Sequence, residues 1–580
     1  MSHSPPAPHD PVKQVLAAHR GTLAGVGLFS ALLNMLMLIS PVFMMQVYDR
    51  VLTSRSLPTL VALLVVAVVL LGLMGVLDHL RAVVLGRVGL AVDKALRESV
   101  FAASLGHAVQ GSGKGDGQQP MRDLDTLRGF LGGPGLAVLF DLPWIPVYLL
   151  VCFAFHPQLG ALALVGALVL TGLMLLSFAI SRRGSRNATE ALGCRNGWLE
   201  GARRNAETLQ ALGMAGHIRA RWKAAHLEAL LAQIKTAEAG AAISAFTKVF
   251  RILLQLLLLA LGAWLVIGAM ATPGVMLAAS VLAGRALAPL EQAIAQWRGF
   301  VQYREARARL ALLDVGRPDT PRTVLPLPCG TLTLEQVCVA PPASSMPTLQ
   351  GITLTLQAGD AMAVVGPSAA GKSTLTRALI GVWPVVRGEI RLDGAEIGQW
   401  SREDRGRFTG YLPQSVDLFD GTIRENIARF SPDSDDDSII AAAREAGTHE
   451  MILRLPQGYD TVIGEMGLAL SAGQKQRIGL ARALHGAPFL VLLDEPNSNL
   501  DAEGEAALGR AIRAVRARGG IVIVTAHRPA ALAEVNHALF IRDGRQAAFG
   551  PRDAVMRRIL AQPDAARESS VTPLRTGQTA

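Results

Sequence analysis

Apolar and polar positions divide the chain near residue 300. Before that point six apolar stretches, at about 22–45, 58–78, 134–155, 158–180, 249–270 and 273–296, are each long enough to cross a bilayer as a helix. The second holds thirteen Leu and Val between Pro58 and Leu77 and no charge, so it should insert by roughly −6 kcal/mol. The sixth has seven Leu, Val and Ile worth roughly −3 kcal/mol, and Arg285 near its middle costs about as much in the opposite direction. Arg285 must therefore avoid lipid, among other helices or in water.

The loops orient these spans. The connections around His156-Pro157-Gln158 and Ala271-Thr272-Pro273 are short and carry no Lys or Arg, whereas 79–133 and 181–248 are long and basic. Arg182, Arg183, Arg186, Arg203 and Arg204 follow the fourth span. An excess of cations marks the cytoplasmic side, which places the N-terminus, both long loops and everything beyond about 297 in the cytoplasm. The first stretch is too long for a removable signal peptide and lacks a small-residue cleavage site.

From about Leu332 the period changes. Short apolar runs such as Ala361 to Val365 and Phe489 to Leu493 alternate with helical stretches, predicting an α/β domain with a largely parallel sheet. The expected organisation is a cytoplasmic segment at 1–21, a six-helix all-α membrane domain at 22–310, a Pro-rich linker at 311–330, an α/β domain at 331–562 and a polar tail at 563–580 that reads as disordered.

Composition agrees with a membrane half and a soluble half: 580 residues, half of them hydrophobic, with a mean hydropathy of +0.33. The net charge of +10 lies beside apolar stretches, where anionic lipid headgroups are the simpler partner than nucleic acid, and no aromatic-interleaved basic patch argues for nucleic-acid readout. Cys152, Cys194, Cys329 and Cys338 have neither metal spacing nor a disulfide framework and read as packing residues.

The chemistry concentrates in the second half. Gly366, Pro367, Ser368, Ala369, Ala370, Gly371, Lys372 and Ser373 form a G-x-x-x-x-G-K-S phosphate loop, preceded by the strand Ala363 to Val365 and followed from Thr374 by a helix-forming run. Such a loop lets successive backbone N–H groups converge on phosphate oxygens at a helix N-terminus. Lys372 would reach the β- and γ-phosphates, and Ser373 a Mg²⁺ ion. Leu490 to Leu493 ends in Asp494 and Glu495, two carboxylates at the C-terminal edge of a buried strand, where ligands of open α/β sheets bind. Asp494 suits a Mg²⁺-linked role and Glu495 suits polarising an attacking water.

Taken with Leu-Ser-Ala-Gly-Gln at 470–474, these residues resemble the nucleotide-binding domain of ABC transporters over nearly all of 331–560. The resemblance implies an α/β P-loop ATPase that uses ATP and Mg²⁺. It implies that Ser471, Ala472, Gly473 and Gln474 form the signature that grips the γ-phosphate of ATP held by the opposite subunit. It further implies that Gln414 senses Mg²⁺ and nucleotide, that Asp501 lies in the inter-subunit loop, and that His527, after the apolar run Ile521 to Thr525, contacts the γ-phosphate. Gly464 to Gly467 is similar to an exporter-specific segment that touches the membrane domain.

Three departures stand out. Ala369 and Ala472 replace glycines common in the family, which a methyl group allows only if the local φ stays negative. No Phe, Trp or Tyr lies between Tyr303 and Trp383, so the adenine-stacking ring expected near Val339 to Pro341 is missing and base recognition should be weaker or less selective.

The membrane half carries a narrower resemblance. Pro41 to Leu52, Arg122 to Arg128, Asp141 to Tyr148 and Gly284 to Gln292 are similar to hallmarks of type I secretion ATPases, especially the protease and lipase exporter branch. Asp141 and Arg285 read either as helix-end residues snorkelling to the interface or as marks of a pathway or partner, and the Gly and Pro of these spans could equally serve packing. The peptidase-like domain that begins some secretion ATPases is expected to be absent, since about twenty residues precede the first span.

The resemblance implies an inner-membrane half-transporter working as a homodimer, with catalysis by Glu495, His527 and Lys372. It would export an unfolded protein bearing a C-terminal signal, through a periplasmic adaptor and an outer-membrane channel. Two other readings stay open: an exporter of lipid, drug or peptide that needs no partners, and an ATP-binding regulatory protein that transports nothing.

Overall fold

The computed structural model describes residues 10–109, 118–313, 325–342, 344, 346–464, 470–525 and 533–560, with the backbone alone at 107–109, 178, 180–183 and 185. The chain divides into two compact units, Met1–Pro318 and Asp319–Ala580.

The first unit is all helix. Its elements are α1 (Pro11–Ala18), α2 (Arg20–Leu36), α3 (Ile39–Gln46), a π turn (Val47–Val51), α4 (Leu52–Ser54), α5 (Leu57–Val109), α6 (Gln119–Leu131), α7 (Pro134–Asp141), α8 (Ile145–Phe155), α9 (Pro157–Arg204), α10 (Ala206–Ala211), α11 (Ala215–Ile267) and α12 (Pro273–Leu312). Six segments are long and apolar enough to cross a membrane, and the six predicted stretches fall on them.

Short connections are built from caps. Pro157 and Pro273 open their helices at positions whose N–H would be orphaned anyway, with His156 Nδ1 accepting from Gln158 N and Thr272 Oγ1 accepting from Val275 N. Asp49, in the π turn, accepts from Thr272 Oγ1 at 2.7 Å and from Gly274 N at 2.8 Å, tying the end of the first span to the start of the sixth. A Cβ on Gly274 would lie 2.4 Å from that carboxylate, so the approach requires glycine.

Small residues let the helices pack closely around α12. Ala279, Ala283 and Ala286 are buried on it, in a core that includes Leu159 and Leu170 of α9 and Leu258 of α11. At the other end, Val12 of α1 packs with Val92, Leu127 and Tyr303, while Asp10 pairs with Arg307 and Asp123 with Arg309 at 2.7 Å.

Asp141 does not snorkel. It is 9% exposed, both its oxygens lie 3.1 Å from Arg81 Nη1, and Asn34 Nδ2 donates to it at 2.9 Å. Arg81 also donates to Ser30 Oγ, and the Tyr148 hydroxyl donates toward the two oxygens of Asn34 at 2.8 and 2.9 Å. A satisfied polar cluster thus joins α2, α5, α7 and α8 inside an apolar bundle. Arg285, by contrast, is exposed on α12 rather than enclosed among helices.

The second unit is built on a ten-stranded sheet ordered β5-β4-β1-β2-β10-β9-β3-β8-β7-β6. Its strands are β1 (Thr331–Val339), β2 (Leu349–Gln357), β3 (Ala361–Val365), β4 (Val385–Leu392), β5 (Ala395–Glu396), β6 (Thr409–Leu412), β7 (Leu490–Asp494), β8 (Ile521–Thr525), β9 (His537–Arg542) and β10 (Arg545–Pro551). Parallel pairing joins β9, β3, β8, β7 and β6. The expectation of a largely parallel sheet needs correction, because β1, β2, β4 and β5 pair antiparallel. Those strands carry polar residues on one face, as half-solvated hairpins do, and lack the crossover helices that parallel pairing needs.

Period-two alternation divides the core. Val491 and Leu493 of β7, with Val522 and Val524 of β8, point to one face; Leu490, Leu492, Ile521 and Ile523 point to the other. Around the sheet lie α13 (Lys372–Leu379), α14 (Arg402–Phe408), α15 (Ile423–Ile427), α16 (Asp436–Glu445), α17 (His449–Leu453), α18 (Ala472–Leu484) and α19 (Ala502–Ala517). Asp393 staples the start of β1 to the β4–β5 turn by accepting from the backbone N–H groups of Cys329, Gly330 and Thr331 at 2.7, 3.0 and 2.6 Å.

Two outcomes follow. Asp141→Ala leaves the buried Arg81 guanidinium with only Asp78, at 2.8 Å, and Ser30, and removes one acceptor of Asn34 Nδ2, so it should cost about 2–3 kcal/mol, part of it recovered when Arg81→Met is added; thermal unfolding of the purified variants in detergent checks this, and a single-variant loss under about 1 kcal/mol contradicts it. Burial raises the pKa of Asp393, but the backbone donors at Cys329, Thr331 and Gly330 outweigh it, and the net shift is downward. A depressed carboxylate stabilises above its unfolded pKa of about 4 and loses that stabilisation as pH falls through the folded value. Asp393→Asn should therefore be less stable than the parent at neutral pH, with the gap closing as titration proceeds below about pH 4.

Candidate functional site

The phosphate loop is set by where β3 stops. Val365 ends the strand, Ala370 N donates to Pro367 O to close a turn, and α13 starts at Lys372 after Gly371 at φ +102. A Cβ on Gly371 would lie 2.8 Å from Leu349, so both the conformation and the space require glycine. No side chain caps α13, which leaves the N–H groups of its first turn pointing into the concavity of the loop.

Lys372 is 7% exposed and its Nζ donates to Gly366 O at 2.9 Å and Pro367 O at 3.0 Å. Burial lowers its pKa, while the charges of Glu495 and Asp494 pull the other way. Ser368 and Ala369 are exposed at the rim, Ser373 is half-buried, and Thr374 Oγ1 meets the Thr348 hydroxyl at 3.4 Å.

Ala369 departs from expectation. Its φ is +64, the left-handed region in which a Cβ is strained, so the condition of a negative φ is not met. Ala472 lies in the first turn of α18 with ordinary helical backbone, as expected.

Beside the loop, β7 delivers Asp494 and Glu495. Asp494 is 5% exposed and accepts from Thr525 Oγ1 at 2.5 Å; the same Thr525 oxygen accepts from Glu495 N at 2.9 Å. Glu495 has φ +50, and its Oε2 accepts from Gln414 Nε2 at 3.0 Å. Lys372, Asp494, Glu495 and Gln414 thus come together at the C-terminal ends of β3, β7 and β6. Sequence reading missed Thr525, whose only signal is its place at the end of the strand neighbouring β7. It also missed Asn497, a buried residue whose Nδ2 has no partner among the described residues.

These groups fit a nucleotide and a hard cation. First-turn N–H groups and an ammonium suit phosphate. The Ser373 hydroxyl, the Asp494 carboxylate and the Gln414 carbonyl oxygen are the donor type Mg²⁺ accepts, in a setting where substrate phosphates complete the shell. Accordingly, no cluster of three His, Cys, Asp or Glu side chains among the described residues is arranged to hold a metal alone.

The signature forms a separate hollow. Ser471 caps α18 in a capping box with Gln474, its Oγ accepting from Gln474 N at 3.3 Å while Gln474 Oε1 accepts from Ser471 N at 2.9 Å. Asp501 caps α19 and pairs with Arg477 at 2.5 Å; the bond from Gly504 N and then Arg477 lower its pKa. Ser471, Gly473, Gln474, Arg477 and Asp501 line this hollow, and no residue of the phosphate loop does. His527, Glu465 to Gly467 and the tail at 563–580 lie outside the described residues.

Known proteins match both units. The model of the ABC transporter transmembrane region matches residues 23–289, and that of the ABC transporter matches residues 349–498. The chain is 46% identical over 562 residues to the type I secretion system ATP-binding protein PrsD of Rhizobium meliloti, covering 97% of each. It is 28% identical over 529 residues to the alpha-hemolysin translocation ATP-binding protein HlyB of Escherichia coli, covering 89% of this chain and 74% of that one. The structure of a bacterial Atm1-family ABC exporter with ATP bound superposes with a TM-score of 0.80 at 25% identity, covering 94% of this chain and 97% of the exporter.

The strain at Ala369 gives a direct test. Ala369→Gly should release roughly 1 kcal/mol, raising the unfolding midpoint of the ATPase unit by a few degrees, whereas the β-branched Ala369→Val should lower it. Calorimetry on the two variants measures both shifts, and a lower midpoint for Ala369→Gly would contradict the strain.

Proposed function

The chain belongs to the type I secretion ATPases of the ABC transporter family, multi-pass membrane proteins that couple ATP hydrolysis to export of secreted proteins, and from that premise we propose how its own residues divide the work. The observation that carries the assignment is the 3.0 Å bond from Gln414 to Glu495 beside the buried Lys372.

Lys372 and the first-turn N–H groups of α13 bind the phosphates of ATP. Ser373, Asp494 and the carbonyl oxygen of Gln414 would hold Mg²⁺, which would supply neutralisation of phosphate charge. Gln414 can do this without releasing the base, because its Nε2 serves Glu495 while its Oε1 remains available. Glu495 orients the attacking water and accepts its proton. Its carboxylate is held by Gln414 and its backbone by Thr525, so the base stays aimed.

The signature hollow lacks the phosphate loop of its own chain, which favours a homodimer in which Ser471 and Gly473 of the partner subunit close over the nucleotide. His527 contacts the γ-phosphate, and Asp501 relays the state of one site to the other. Loop charge favours a cytoplasmic ATPase unit, and the family favours the inner membrane for the six spans. The cargo is an unfolded secreted protein with a C-terminal signal, handed to a periplasmic adaptor and an outer-membrane channel.

Glu495→Gln should retain ATP binding and lose at least about a hundredfold in turnover, and Lys372→Ala should lose both. Hydrolysis and nucleotide binding by the purified protein in nanodiscs check the pair. Unchanged turnover in Glu495→Gln would remove it as the base.

A further inference from the structure

α12 is unlike the other spans in what it shows to its surroundings. α5 exposes Leu64, Val65, Val68 and Val69, and α9 exposes Val165 and Leu168, the apolar surface that lipid requires. Among the described residues α12 exposes no large apolar side chain before Leu312. Its open face carries Arg285, Ala288, Gln292, Ala295 and Gly299, spaced three and four apart so that they form one stripe. Arg285 and Gln292 are exposed, stand about 10 Å apart along the axis, and have no hydrogen-bond or ion-pair partner among the described residues.

The neighbouring α11 carries a matching stripe. Ser244, Lys248, Arg251 and Gln255 recur four, three and four apart on a helix that elsewhere exposes large apolar side chains such as Phe246, Val249, Ile252, Leu253, Leu256 and Leu257. Arg251 pairs with Glu291 of α12 at 2.8 Å, which sets the two stripes side by side. Gly262 packs on Met276, so the antiparallel register puts Gln255 near the level of Arg285. Glu291 is thus paired with Arg251, and Lys248 and Arg285 have no acidic partner among the described residues.

A surface of this composition cannot face hydrocarbon, and among the described residues no other helix of the same chain encloses Arg285, which leaves a water-filled space as its surroundings. We propose that the Arg285–Gln292 stripe, with Lys248 and Gln255, is a hydrated track that engages carboxylate-bearing, acidic segments of the exported polypeptide as they pass in extended form. The inference rests on the exporter reading above and adds to it a cargo chemistry and a residue that selects for it. Two unpaired cations offer an extended chain charge complementarity. The Gln amides supply donors and acceptors to its backbone, and the small Ala and Gly residues leave room for varied side chains.

The test uses full-length protein, its four cysteines replaced by Ala, in neutral phosphatidylcholine vesicles, with thiols introduced by Gln292→Cys or, as a lipid-face control, Leu168→Cys. The thiol at position 292 should react with water-soluble methanethiosulfonates, about tenfold faster with an anionic than a cationic reagent, and adding Arg285→Gln should abolish most of that preference. The control thiol should stay unreactive. A short Asp/Gly peptide should protect position 292, an equally long Lys/Gly peptide should not, and Arg285→Glu should reverse that order. An unreactive thiol at 292, equal rates with both reagents, or protection by anionic lipid but not by the acidic peptide overturns the proposal. ATP turnover and its loss in Lys372→Ala are read in the same vesicles. If turnover is absent the exporter reading falls, and if it persists without peptide protection only the acidic track falls.

Discussion

Inside a bilayer a charge must meet a counter-charge or water, and the membrane unit is arranged around where each of its charges does so. Asp141 meets Arg81 and Asn34, and because these residues come from α7, α5 and α2, satisfying one carboxylate fixes three helices. Arg251 and Glu291 do the same for α11 and α12. Asp49 uses a different device, accepting from the start of α12, where orphan N–H groups and the helix dipole favour an anion. Pairing of this kind adds little net stability over an apolar core, but it penalises every arrangement that separates the partners, so it specifies register more than it strengthens the fold. Arg285 is the exception that the same rule turns into function.

In the ATPase unit the corresponding constraint is backbone strain held at one edge of the sheet. Ala369 and Glu495 both sit at positive φ without being glycine, one on the phosphate loop and the other beside the metal-type carboxylate. Each conformation costs about 1–2 kcal/mol and persists only because the surroundings over-determine it. For Glu495 those surroundings are visible. Thr525 accepts from its N–H while donating to Asp494, so the last residue of β8 locks two successive carboxylates of β7 into different roles. Asp494 is turned inward and buried, and Glu495 outward toward Gln414.

Much of this was legible in the sequence because it depends on local pattern. Apolar runs of membrane length, loop charge and the phosphate-loop spacing each encode their structure within a few tens of residues. What escaped depends on partners far along the chain. For Asp141 the helix-end reading and the partner reading both stayed open, since Arg81 lies sixty positions away. Thr525 carries no motif, and its importance comes only from parallel pairing of β8 with β7. The antiparallel strands were misjudged because short apolar runs look alike in either pairing, and orientation is set by the connections. At Ala369 the residue type suggested a negative φ, and the tight turn between β3 and α13 overrode it.

The resting site is already satisfied before nucleotide arrives, which bears on how it can be switched. Lys372 gives its protons to two loop carbonyls and Glu495 receives one from Gln414. Phosphate binding therefore exchanges hydrogen bonds rather than filling an unmet need, and the net gain per exchange is only about 1 kcal/mol. The larger contribution must come from the uncapped first turn of α13, whose N–H groups have no competing acceptor in the helix. Those amides belong to rigid backbone and bind whatever the state of the rest. The side chains that discriminate bound from free, Lys372, Gln414 and Glu495, are the ones engaged in weak, exchangeable contacts. An ATPase unit that must grip and release in every cycle is better served by this division than by a pocket of unpaired charges, whose affinity would be high and whose release would be slow.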